Sequence, residues 1–489
     1  MSLLKGILGR RRSALIFAAV FVIHIVSSFD ICWFLADGGE WRHLRGFVFS
    51  STWREHLHSS EEWAVYYQVQ ALREGRVWLG RGSPPKVSTD VFQIGEYYYA
   101  PFEPLAALAL FPYHLVGEAF SGEEFRIRSL VIGMIFYTCL NALLVRRISS
   151  QVGQSRITAD LSALLYGLAT MAFSYSRLLY PQPIAAMFML LTVVFLFNYR
   201  RSRVPRDLFL VSLFCGLAVS SFNASIIAMP LILYYLMKGG AFSRKEHFLT
   251  AALGLLPSIA LFASWNYLVT GNPLTTPRQV VHPSVGFELV HITADATWLN
   301  VEGLLGSLIS PLGIFFVSPI LPVSFAGFLS LKSKAKDEAM LLSTLATFFW
   351  LFMSLLNLGG QAGRDFWVGG WANIARHMYL SSSLLVILAS EAFEFISKSR
   401  HILGAWLISV ASAISLLANF SYGVRHDLMV GHLKDYVSNS LLIWPYPLDE
   451  RELGVLLIIV FSLSLVYPIL LARRRGPLRA PVPSRAPDS

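Results

Sequence analysis

Chemistry in this 489-residue chain would have to come from a few charged and aromatic side chains set among long apolar runs. The first are Glu61 and Glu62, within Ser59-Ser60-Glu61-Glu62-Trp63 and followed by Tyr66-Tyr67. A carboxylate beside an acceptor hydroxyl can take its proton, so Glu61, with Glu62 as alternate, is a candidate general base. Ser59-x-x-Glu62 also reads as a capping box at a helix N-terminus, and both readings stay open. A second group is Asp90, Glu96 and Glu103, interleaved with Tyr97-Tyr98-Tyr99. These acids suit a cation or a sugar, or are solvated loop acids, and the tyrosines suit interface anchors. The third group is Arg376-His377, with Arg364 and Trp371 ahead of it. An arginine about one turn into an apolar span is expensive, so it either snorkels to the interface or meets an anionic partner. The glycines and tryptophans before it make a close-approach turn that suits a sugar and a lipid phosphate.

The elements that hold these residues are helices in a membrane. The chain is 55% hydrophobic and 14% charged, and its mean hydropathy is +0.55. Soluble domains are about 25% charged, so the composition excludes a soluble enzyme. It equally excludes a disordered chain and a disulfide scaffold. The three cysteines, Cys32, Cys139 and Cys215, lie in or at the edge of apolar runs and read as small packing residues. Hydropathy gives a first span over about 14–35 and eleven more: 129–145, 159–175, 183–199, 208–222, 224–237, 248–269, 308–330, 339–358, 372–395, 402–420 and 453–471. The expected fold class is therefore an all-α polytopic membrane protein of about 12 transmembrane helices. Its first external loop is large and contains juxtamembrane helices. One is predicted over Ser60–Gly75 from its serine start, its glycine stop and the spacing of Val65, Val69 and Leu72. Another, Leu105–Val116, is too short to cross.

If 105–116 does not cross, every basic cluster falls on the N-terminal side, from Arg10-Arg11-Arg12 through Arg146-Arg147, Arg200-Arg201 and Lys332-Lys334 to Arg473-Arg474-Arg475. That side then holds 24 basic and 8 acidic residues, and the other side 16 basic and 22 acidic. The positive-inside rule puts both termini in the cytoplasm and makes the net charge of +10 a matter of orientation, not nucleic-acid binding. The working face is external, with loops 36–128, 176–182, 271–307, 359–371 and 421–450. An Arg/Pro-rich cytoplasmic tail, 473–489, reads as disordered. No P-loop, GxGxxG, HExxH or Gly-x-Ser-x-Gly motif is present.

In order along the chain, these segments resemble the C-type (GT-C) membrane glycosyltransferase superfamily, in particular its protein O-mannosyltransferase and aminoarabinose-transferase-like branch. The resemblance is carried by Ser60-Glu61-Glu62 with Tyr66-Tyr67, Tyr98-Tyr99-Ala100-Pro101-Phe102-Glu103-Pro104, Gly271-Asn272-Pro273, Gly306 to Pro319, and Trp371 to Met378. It spans roughly residues 14–400, so 1–400 is expected to be the catalytic core and 401–472 to add C-terminal helices. Where relatives carry an Asp-Glu pair, this chain has Glu61-Glu62. In the turn holding Tyr175, where relatives carry an acid, it has Gln182.

The resemblance implies an inverting transfer of a monosaccharide from a polyprenyl-phosphate donor to a lipid, glycan or protein acceptor. Glu61 or Glu62 would be the catalytic base. Arg376, His377 and Arg364 would bind the donor phosphate. Tyr66, Asp90, Glu96, Tyr99, Glu103, Tyr175, Gln182 and Trp371 would line the substrate pocket. The resemblance implies no fixed cofactor: a divalent metal, Mg or Mn, is the candidate, and Gln182 suits a metal-free site. The competing expectation is a lipid-linked-sugar flippase or secondary transporter, which should place charge near mid-membrane. A non-catalytic scaffold is the third, favoured if the external acids and Arg376 stand more than about 15 Å apart.

Overall fold

The computed structural model describes residues 11–28, 60–83, 91–120, 123–277, 280, 308, 314–356, 378–399 and 402–424. The predicted span 453–471, the 421–450 loop beyond residue 424 and the tail 473–489 lie outside them.

The helices follow the apolar runs. They are α1 (Arg11–Ser28), α2 (Ser60–Arg73), α3 (Pro104–Ala119), α4 (Glu123–Gln151), α5 (Arg156–Ala169), α6 (Ala172–Tyr175), α7 (Gln182–Ser202), α8 (Pro205–Ser221), α9 (Ala228–Lys238), α10 (Lys245–Thr270), α11 (Ile314–Val317), α12 (Ser324–Lys334), α13 (Lys336–Leu356), α14 (Tyr379–Ser399) and α15 (Ile402–Val424). Among the described residues, four segments are long and apolar enough to cross a membrane: Phe125–Gln151, Gln182–Ser202, Lys245–Thr270 and Tyr379–Ile396. The protein is an integral membrane protein. Several other expected spans are broken. The run 159–175 stops at Thr170, whose hydroxyl donates to the Tyr166 carbonyl at 2.6 Å and accepts the Ala172 N–H at 3.2 Å, ending α5 and starting α6. The run 224–237 opens with a 3-10 turn, Asn223–Ile227. The run 308–330 is interrupted around Pro319 and Pro322, because proline removes a backbone donor and clashes with the preceding turn.

Ion pairs show which helix ends share a level. Arg146, at the end of α4, pairs with Asp160 in the first turns of α5 at 2.5 Å and donates to Ser13 of α1 at 3.1 Å. Arg12 lies 3.6 Å from the same Asp160. Arg200 and Lys238, ending α7 and α9, meet Asp337 at the start of α13 at 2.9 and 2.8 Å. Lys334, ending α12, meets Glu391 and Glu394 near the end of α14, and Glu394 accepts the Ser155 N–H at 2.7 Å. The basic loops thus gather at one end of the bundle. The start of α1 and the end of α4 lie together, so α2 and α3 make no net crossing between them.

That arrangement follows from how α3 packs. It runs antiparallel along the first half of α4: Tyr137 donates to the Ala109 carbonyl at 2.8 Å, Gly133 faces the Tyr113 ring, and Gly117 faces Ser129. Chain that enters along α3 leaves along α4 at the same end.

The first loop also contains a small sheet that the periodicity did not suggest. Strands β1 (Gly80–Arg81), β2 (Phe92–Ile94) and β3 (Tyr97–Tyr99) pair antiparallel in the order β1-β3-β2, with Ile94 opposite Tyr97. The two-residue connection Gly95-Glu96 has Gly95 at φ +61°, the conformation that a tight hairpin demands and glycine tolerates. Phe92 and Tyr99 stack at 5.8 Å and pack with Trp265 and Val269 at the end of α10. The sheet therefore rests on the end of the bundle remote from the basic loops.

Candidate active site

Glu62 comes from the first turn of α2 and is 1% exposed. Its Oε1 accepts the N–H of Leu179 at 3.1 Å. Leu179 lies in the turn between α6 and α7, and that turn is held from several sides. Asn141 of α4 donates to the Pro183 carbonyl at 2.8 Å. His24 of α1 donates from Nε2 to the Gly167 carbonyl at 2.9 Å, since a carbonyl can only accept, and its Nδ1 lies 2.7 Å from the Ser176 hydroxyl. The Tyr175 ring is buried between Tyr180 at 5.7 Å and Tyr379 at 5.9 Å, and Tyr166 donates to the Tyr379 hydroxyl at 3.0 Å. One turn thus receives a carboxylate from α2 and the first residue of α14.

Arg177, in the same turn, is buried, with its guanidinium 4.8 Å from the Phe173 ring centroid. The sequence analysis takes Tyr175 and Gln182 from this segment and leaves out Arg177. The available signal was a lone basic residue between two apolar runs on the net acidic side. Gln182 opens α7, is 4% exposed, and its Oε1 has no hydrogen-bond partner among the described residues.

Of the residues expected to form the site, the structure gathers Glu62, Tyr175 and Gln182 around this turn. Tyr66 is buried one turn further along α2; it accepts from Gln70 at 2.7 Å and its ring centroid is 6.3 Å from that of His114. Tyr99 is on the sheet, where burial raises its hydroxyl pKa above the usual value. Glu103 is buried at the start of α3 and lines a cleft with Phe102, Trp265 and Asn266. Glu96 stands apart, exposed at the hairpin tip and paired with Arg81 at 3.1 Å. Asp90, Arg364, Trp371, Arg376 and His377 lie outside the described residues, as does the side chain of Glu61. Glu62 bonds Leu179 across the fold, and Ser59, its expected capping partner, is likewise outside.

Among the described residues no group of three His, Cys, Asp or Glu side chains is placed to hold a metal ion. With neutral Gln182 at the turn, these residues do not by themselves supply a ligand set for Mg or Mn. The buried acids Glu391 and Glu394 pair with Lys334 at the basic end of the bundle, away from this turn.

No protein-family profile matches the chain, and comparison with curated proteins finds no match. Comparison with solved structures does. The apo oligosaccharyltransferase of Archaeoglobus fulgidus aligns at a TM-score of 0.52 and 15% identity over 90% of this chain and 59% of that one. ArnT from Cupriavidus metallidurans in the apo state aligns at 0.50 and 12% identity over 89% of this chain and 72% of that one. Both are GT-C glycosyltransferases, and this chain has the GT-C fold. It spans about three fifths of the length of the archaeal protein.

Proposed function

We propose that this protein is an inverting glycosyltransferase that moves a monosaccharide from a polyprenyl-phosphate carrier to a hydroxyl of a lipid, glycan or protein acceptor on the external face of the membrane. The observation that supports it best is the single turn between α6 and α7. It takes Glu62 of α2 at Leu179, and through Tyr175 it takes Tyr379, which follows Arg376 and His377 closely in the chain. A base and a phosphate-binding cation on these two segments would serve one reaction centre. The GT-C fold raises the weight of that reading by analogy.

In the proposed reaction the acceptor oxygen attacks the anomeric carbon from the face opposite the phosphate. Its proton passes to Glu61 or Glu62, the C1–O bond to the phosphate breaks, and the lipid monophosphate leaves with the bonding pair. Arg376, with His377 and Arg364, neutralises the leaving phosphate, as a preorganised cation does at a site of developing charge. Glu62, already engaged with Leu179, positions α2 so that Glu61 is the first candidate for the base. The archaeal oligosaccharyltransferase forms a complex with Zn and sulfate; a divalent ion here would need ligands beyond the described residues, Asp90 among the candidates.

The test is reconstitution of the full chain with a panel of radiolabelled polyprenyl-phosphate sugars and an acceptor extract. One donor should be consumed with formation of a labelled product of inverted anomeric configuration. Consumption of none, or retention of configuration, would contradict the proposal.

A further inference from the structure

Among the described residues, the helix that carries Glu62 docks on the bundle chiefly through one neighbour, α3. Their contact is pinned at three places. Gln68 donates to the Phe102 carbonyl at 3.4 Å, Tyr66 packs beside His114, and Arg73 in the last turn of α2 pairs with Glu118 at 2.7 Å. The second half of α3 is seated in turn on α4, where Gly117 and Gly133 let the two helices touch. His114 stands between α2 and α3, 1% exposed, and neither ring nitrogen has a hydrogen-bond partner among the described residues. Three charged groups act on it: Arg126 from α4, Glu118 one turn along α3, and Arg73 from α2. Tyr66 of α2 is its aromatic neighbour.

A neutral imidazole tolerates this position and an imidazolium does not. Protonation makes both ring nitrogens donors, and a buried charge is costly unless it is paired. The single acid that acts on His114 among the described residues, Glu118, already holds Arg73. If Glu118 turns to the imidazolium, it releases Arg73. If it stays, His114 becomes a third cation beside Arg73 and Arg126. Either response loosens α2 from α3, while α3 keeps its seat on α4. Burial, then Arg126, hold the His114 pKa below 6.5, so the docked contact resists the proton and an undocked one accepts it. We infer that His114 is an acid-sensitive latch between α2 and α3: neutral, it lets α2 dock with Glu62 on the Leu179 amide; protonated, it undocks α2 and withdraws the acidic pair from the turn. The inference adds regulation to the proposed site and rests on that reading only for the effect on transfer.

The test is amide hydrogen exchange of the full chain in nanodiscs between about pH 7.5 and 5, read as protection factors so that the intrinsic pH dependence of exchange cancels. The amides of α2 should lose protection as pH falls, about tenfold for each unit by which docking lowers the imidazole pKa, while those of α4 keep theirs. His114→Gln should remove that loss. Arg126→Gln takes away a cation that opposes the proton, so its loss should begin at higher pH than in the wild type. The inference is overturned if protection of α2 is independent of pH, falls equally in His114→Gln, or falls together with that of α4. An Arg126→Gln onset at the wild-type pH overturns it as well. In the transfer assay, His114→Gln should retain a larger share of its neutral-pH rate at about pH 5 than the wild type does. Identical pH profiles overturn the latch and leave transfer intact. Opening of α2 that needs both acid and His114, without transfer from any donor, supports the latch and defeats the transferase reading.

Discussion

Because Glu62 Oε1 is engaged with the Leu179 amide, the choice of substitution decides what is measured. Glu62→Ala leaves a buried N–H unanswered and should cost about 1–3 kcal/mol of stability, read as a lowered unfolding midpoint in detergent. Glu62→Gln retains an acceptor oxygen and should melt close to the wild type. An alanine variant as stable as the glutamine variant would show that the bond holds nothing. His114 gives a pH prediction. Both its ring nitrogens are buried without a hydrogen-bond partner among the described residues, and its pKa is held below the usual 6.5, first by burial, then by Arg126, with Arg73 adding and Glu118 opposing. The unfolded chain therefore takes up a proton at higher pH than the folded one. Stability contributed by neutral His114 is full above about pH 6.5 and declines as pH falls from there toward the lowered folded value. His114→Gln should flatten that decline in a melting series from pH 7.5 to 5. A slope unchanged by the substitution would place the titrating group elsewhere.

At the scale of elements, glycines mark where helices touch. A Cβ on Gly327 of α12 would run into the Leu388 carbonyl of α14, and one on Gly117 would lie 2.6 Å from the Arg126 Cα. Backbone cannot give way as a side-chain end can, so Gly327→Ala should destabilise by at least about 1–3 kcal/mol. Differential scanning fluorimetry of the purified variant checks this, and an unchanged midpoint would mean that α12 and α14 are not packed so closely. Elements with strong punctuation were legible in the sequence. The helix α2 lies between Ser60 and Gly75, and α3 was recognised as too short to cross. The sheet was not recognised, although Ile94-Gly95-Glu96-Tyr97 carries a hairpin signal, because three adjacent tyrosines suggested a membrane interface instead. The break at Thr170 and the 3-10 opening of the 224–237 run escaped because hydropathy averages over them, while the boundary at residue 223 between the runs 208–222 and 224–237 was legible. A threonine hydroxyl or a single non-helical residue ends a helix without changing mean polarity.

For the whole molecule, the alternation of basic loops was readable because orientation is written in charge, and the ion pairs of Arg146, Arg200 and Lys334 place those loops at one end. Cysteine labelling tests which side that end faces. A cysteine at Glu96 should react with an impermeant maleimide in intact cells and one at Arg203 only after permeabilisation; the reverse would invert the topology. The site was legible only in pieces. Glu62 stands more than a hundred residues before the segment that holds Tyr175 and Gln182, and nothing local states that Leu179 answers Glu62. Arg177 and the Trp265-Asn266 cleft needed the fold, since each is an unremarkable residue in an apolar run until its neighbours are known. The role of the acidic pair as the base is read from the initial rate of sugar transfer from the active polyprenyl-phosphate donor by the Glu61→Gln, Glu62→Gln and double variants, each reconstituted and confirmed folded by its melting midpoint. The double variant, and at least one single variant, should fall by about 10²–10⁴ with donor binding nearly unchanged. A double variant that transfers at the wild-type rate would contradict it.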